Sequence, residues 1–159
     1  MTTISTQDNN NATTTATTDR LVNLSTGVHG AAIAAVRVVV SFLFVCHGAQ
    51  GLGAFGGIDG QGTGVVFGAW PEWWATMIAL VGGSLVALGL FTRPAALLCS
   101  GAMAYAYFVV HQPMALLPLQ NLGEQAALFS WIFLLIAVLG SGSFALDSLV
   151  RRSRSTRSA

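Results

Sequence analysis

The chain has 159 residues, of which 53% are hydrophobic and only 8% charged, with a net charge of +1. A soluble domain of this length carries about a quarter charged residues, so the composition excludes an ordinary water-soluble fold. All seven basic residues are arginines, and four of them (Arg151, Arg152, Arg154 and Arg157) crowd behind the last apolar stretch, a pattern that points to a chain folded in lipid.

Residues 1–27 are rich in Thr and Asn and have almost no large apolar residue before Leu21, so they read as a disordered tail. No charged segment leads into a short apolar core with a cleavage site, so this tail is not a signal peptide. The membrane domain is expected over 28–149, with helical spans at about 31–50, 73–91, 94–111 and 123–142. Each is long enough to cross a hydrocarbon slab of about 30 Å. None alternates with period 2, which argues against a barrel. The predicted fold is an all-α membrane protein, a four-transmembrane-helix bundle. Residues 150–159 form a basic tail, better read as a topology anchor at anionic headgroups than as a nucleic-acid arm.

Arginine placement sets the orientation. Arg20, Arg93 and the C-terminal arginines fall on segments that an even number of spans puts on one face. The first and third connections, about 51–72 and 112–122, have no basic residue. Both termini are therefore expected in the cytoplasm. Pro71 and Glu72 fit the first turn of span two, and Trp70, Trp73 and Trp74 read as an interfacial belt. Phe91-Thr92-Arg93-Pro94 is short enough only for a tight hairpin. Gly82, Gly83, Ala87 and Ser100 are small residues that let the helices beside it approach closely.

The candidate polar site lies at the outer end, where His47, Gln50, His111 and Glu124 share a similar depth. Such a set could hold a metal or haem or pass protons to a quinone. The competing reading is that polar residues simply collect where helices meet headgroups, and no tight ligand spacing such as HExxH opposes it. Arg37 is the one basic residue inside a span; it either snorkels or pairs with an acid, and Asp147 is the acid at a suitable depth. An Arg37–Asp147 or Arg93–Asp147 pair would pin the inner ends. Cys46 and Cys99 differ in depth by roughly 10 Å, too far for a disulfide. Gly51-Leu52-Gly53-Ala54-Phe55-Gly56 formally matches GxGxxG, but it follows a membrane helix rather than a strand and reads as the start of a Gly-rich loop.

Taken in order, Arg37 ten residues before His47-Gly48, the Gly-rich loop, Gly82-Gly83 with GLFTRPAAL, and the close from Gly140 to Asp147 resemble the DoxX family of small four-helix membrane proteins. The resemblance covers about residues 30–149. It implies a subunit of a bacterial plasma-membrane oxidoreductase system linked to quinone, of the thiosulfate or oxidative-stress type. The subunit would be accessory rather than itself catalytic. Quinone is the cofactor so implied, no metal is expected, and the partners are the bilayer and a larger redox complex or further copies of the chain, not nucleic acid. A structural or assembly subunit is the alternative, and a small oligomeric transporter a third. Two family features are missing. Gly51 stands where relatives often have Lys, and Ala79, Leu80 and Val81 stand where they often have Glu.

Overall fold

The computed structural model describes residues 4–142 and 145–147. Ser143 and Phe144 of the closing signature and the basic tail at 150–159 lie outside the described residues. Among the described residues there is no strand. The architecture is four helices: α1 (Ile4–Gly51), α2 (Glu72–Leu88), α3 (Thr92–His111) and α4 (Glu124–Leu139). Both α2 and α3 contain a π-helical stretch, Ile78–Gly82 and Ala106–His111.

The expected boundaries hold within a few residues for three helices and fail for the first. Residues 4–27, expected to be disordered, are helical and continue into the apolar segment without a break. The physical reason is cooperativity. Extending an existing helix costs far less than nucleating one, and no proline or glycine precedes Gly27 to stop it. The helix is roughly 70 Å long, and Val22 to His29 stand exposed, clear of the other helices.

α2 ends at a tight chain reversal. Gly89 adopts φ +71°, its N–H bonds Val86 O at 3.0 Å, and Leu90 N–H reaches back to Leu85 O at 2.9 Å. This is the Schellman pattern, in which a left-handed glycine satisfies the last helical carbonyls. α3 then starts at Thr92, with Pro94 in its first turn, where a missing N–H costs nothing.

The four helices pack in a ring, α1 beside α2, α2 beside α3, α3 along α4, and α4 more lightly back against α1. The core is formed by Phe44, Val86, Ala96, Cys99, Met103, Phe129, Phe133 and Ile136. Phe44 closes the ring, its centroid 5.2 Å from that of Phe129 and 4.8 Å from that of Phe133. Ser100 Oγ donates to Ser130 O at 2.9 Å and ties α3 to α4.

Polarity is inverted relative to a soluble bundle. Arg37, Ser41, Thr92 and Asn121 are buried, whereas Phe42, Val81, Leu97, Phe108, Trp131 and Leu135 are exposed. So much contiguous apolar exterior requires an apolar solvent. Val22–Gly51 and Thr92–His111 are long and apolar enough to cross a membrane, with mean hydropathies of 2.1 and 1.3; α2 and α4 are apolar but shorter.

Candidate functional site

At the end of the bundle carrying the Gly-rich loop, the residues singled out by sequence are brought to different places. His47 lines a cavity of about 150 Å³ together with Glu72 and Thr76 of α2. Ile58 and Val65 of the loop cover it, and Ala79 and Met103 line it from α2 and α3. Gln50 serves the cover rather than the cavity. Its Nε2 donates to Gly57 O at 3.1 Å, while Val65 N–H donates to Gly51 O at 2.8 Å and folds the loop back over the helix end. His111 contacts Asn121 O through Nδ1 at 3.0 Å, and since a carbonyl only accepts, that nitrogen carries the proton. Glu124 is exposed and lines a separate groove with α1.

His47 and Glu72, both exposed, line the same cavity, and His111 and Glu124 do not join them. No group of three or more His, Cys, Asp or Glu residues stands at metal-holding spacing among the described residues. Both cysteines are free thiols, as their depths required. The π-helical stretch Ile78–Gly82 contributes Ala79 to the cavity wall, and the second such stretch begins three residues beyond Met103. Such π segments concentrate at functional sites.

The loop cover is held electrostatically. Asp59 Oδ1 accepts the backbone N–H of Gln61 at 2.9 Å and of Thr63 at 3.3 Å. The Thr63 side-chain hydrogen bond, followed by these backbone donors, holds the Asp59 carboxyl below its usual range.

At the hairpin end, Arg37 and Asp147 grip backbone. Arg37, 1% exposed, donates from Nη1 to Val86 O at 2.7 Å and Ala87 O at 2.6 Å. These are last-turn carbonyls of α2, at the negative end of its dipole. Asp147 accepts the N–H of Phe91 at 3.2 Å and of Thr92 at 3.3 Å, at the positive end of α3. Its own N–H donates to Gly89 O at 3.0 Å. The two charges also act on each other coulombically. These hydrogen bonds of both side chains thus run to the hairpin backbone. Arg93 is exposed, its guanidinium lying over Gly140.

Residues 32–112 match the model of the DoxX family, 81 of the 159 residues. The chain belongs to the DoxX family. It is also 40% identical, over 119 residues, to an "Uncharacterized protein" of Haemophilus influenzae, a match covering 73% of this chain and 88% of the relative. No solved structure matches. As a DoxX protein with this apolar exterior it is a membrane protein.

Within this DoxX chain, His47, Glu72, Thr76 and Met103 all fall inside the matched stretch, whereas Glu124 and Asp147 fall beyond it. Gly51 packs directly onto the Thr76 hydroxyl, and Gly48 packs onto Ala79 and Leu80, one turn further along α2. Glu72 and Thr76 were the cavity residues that sequence reading did not select. Glu72 had been assigned to the helix dipole, and only its depth, level with His47, could have suggested more.

Proposed function

We propose that this DoxX protein is a four-span subunit of the bacterial plasma membrane, with both termini cytoplasmic, that serves a quinone-linked oxidoreductase system as an accessory, quinone-holding component. The His47–Glu72 cavity is the observation that carries this reading. A volume near 150 Å³ suits one six-membered ring, since a cavity of about that size accommodates benzene. The imidazole of His47 and the hydroxyl of Thr76 supply donors for a quinone carbonyl, and the Glu72 carboxylate supplies an acceptor for a quinol hydroxyl. A quinone bound there would carry the two-electron chemistry, while the chain orients it and offers proton acceptors. Ala79, Met103, Ile58 and Val65 supply apolar walls of the kind that a ring plane requires.

Topology supports the same picture. α2, though short, carries exposed aromatic anchors at its start, Trp70 and Trp74, and slight bilayer thinning accommodates short spans such as α2 and α4. The loop end bears no arginine, so it faces away from the cytoplasm, and reporter fusions at Gly60 and at the C-terminus should report opposite sides.

The deciding measurement is quinone content and quinone-linked activity of membranes and of protein purified in mild detergent. Wild-type protein should retain a prenyl quinone near one per chain. His47→Ala and Glu72→Gln should each lower retention and linked activity roughly fivefold at normal protein level, as loss of one hydrogen bond of about 1 kcal/mol implies. Unchanged retention in both variants removes the proposal. A defined partner protein without bound quinone makes the chain an assembly subunit instead.

A further inference from the structure

On the opposite seam of the ring, α4 packs far more closely along α3 than along α1. The gap left between α1 and α4 is a groove of about 500 Å³, walled by Val40 and Leu43 of α1 and Leu128 and Ile132 of α4. It shares no lining residue with the His47–Glu72 cavity. Leu119 and Leu122 form its lip, and Glu124 and Gln125 are the polar groups beside that lip.

The lip is held in a costly conformation. Leu122 has φ +58°, a region unfavourable for a bulky residue, and its side chain is 81% exposed. Asn121, fully buried, secures it. Asn121 Nδ2 donates to Ala115 O at 2.8 Å, its Oδ1 accepts Gly123 N–H at 2.8 Å, and its carbonyl meets His111. His111 is thereby assigned to positioning this lip.

We propose that the groove is a binding site for one bilayer aminophospholipid, with an acyl chain between α1 and α4 and the headgroup ammonium at Glu124. Three observations converge on this occupant. The walls are apolar and open beside exposed Leu43 and Leu128, which the bilayer faces, and the volume falls in the range of specific ligand sites, roughly 300–1,000 Å³. From Ile132 up to Glu124 the groove runs about 12 Å along α4, close to the depth of one hydrocarbon leaflet, about 15 Å. Charge selects the headgroup. The charged residues at this end are Asp59, Glu72 and Glu124, all acidic, with no Lys or Arg in either connection. An anionic lipid is repelled there and an ammonium is attracted.

Native mass spectrometry of the full chain in mild detergent tests the assignment, with phosphatidylethanolamine and phosphatidylglycerol supplied in equal amounts. One phosphatidylethanolamine per chain should be retained, with a preference of roughly fivefold, as a partly exposed ion pair provides. Glu124→Gln should abolish the preference, and Glu124→Lys should reverse it. Leu128→Trp, filling the groove, should lower retention of both lipids. Leu97→Trp, on the exposed face of α3, should leave retention unchanged and controls for general effects on the fold. Equal retention by the wild type, no reversal in Glu124→Lys, or a prenyl quinone retained in this groove each overturns the proposal. None of these readouts depends on His47 or Glu72, so the quinone reading stands or falls separately.

Discussion

Arg37 and Asp147 divide the work at the α2–α3 turn: the guanidinium caps last-turn carbonyls of the helix that ends, sharing Val86 O with the Gly89 N–H, and the carboxylate satisfies orphan N–H groups of the helix that begins. Both contacts are charge-assisted and follow the helix dipoles, so they are stronger than neutral hydrogen bonds. Arg37→Met should therefore cost about 3 kcal/mol of stability, because it leaves Asp147 and two carbonyls without the buried cation. Arg37→Lys should cost about half as much, since an ammonium lacks the planar fork but keeps the charge. Asp147→Asn should cost about 1 kcal/mol, its remaining oxygen still accepting one N–H. Reversible unfolding in detergent measures all three. Equal losses for Met and Lys at position 37 would count against the capping role. Sequence reading identified these residues from depth and charge, but backbone acceptors carry no sequence signature, so it could name only each other as partners.

Between elements, the paired glycines Gly82 and Gly83 face different neighbours. A Cβ on Gly82 would lie 2.7 Å from Cys99 Sγ on α3, and one on Gly83 would lie 2.9 Å from Val45 on α1. Two consecutive glycines are needed because successive helix positions point about 100° apart and α2 is wedged between both partners. Gly82→Ala should destabilise by about 1–3 kcal/mol through overpacking. Adding Cys99→Ala, which removes the clashing sulfur, should restore part of that loss. Strict additivity of the two in thermal unfolding would sink the contact. The loop cover behaves differently because one of its ties is an exposed carboxylate, Asp59, that titrates. Asp59 has its folded-state pKa depressed, so its contribution is complete above the usual Asp pKa and disappears as pH falls through the lowered value. Protease cutting between Gly60 and Gly64 should rise on acidification, and Asp59→Asn should show raised, pH-independent cutting.

At the scale of the molecule, small and polar side chains join a few large ones such as Phe44 and Phe133 in the helix contacts, while most large apolar side chains face outward. Lipid is as apolar as leucine, so packing small residues closely, not hiding large ones, holds such helices together. The two lateral openings follow from this arrangement. Each lies along α1, the small cavity against α2 and the long groove against α4, where the packing of α1 is lightest.

Hydropathy and arginine placement by themselves determined the solvent, the helical class, the approximate helix limits and the tight hairpin, because each is a local or compositional consequence of burying backbone in hydrocarbon. The ordered residues around Arg37, His47 and the paired glycines were enough to indicate the family. Tertiary structure alone decided which polar residues meet. His47, Gln50, His111 and Glu124 read as one set from sequence, yet the packing leaves His47 lining a cavity with Glu72, sends Gln50 and His111 to loop carbonyls and leaves Glu124 at a groove. Depth along a membrane helix can be counted from sequence at 1.5 Å per residue. The facing of a side chain depends on which neighbours pack against that helix, and that is set by contacts distant in the chain.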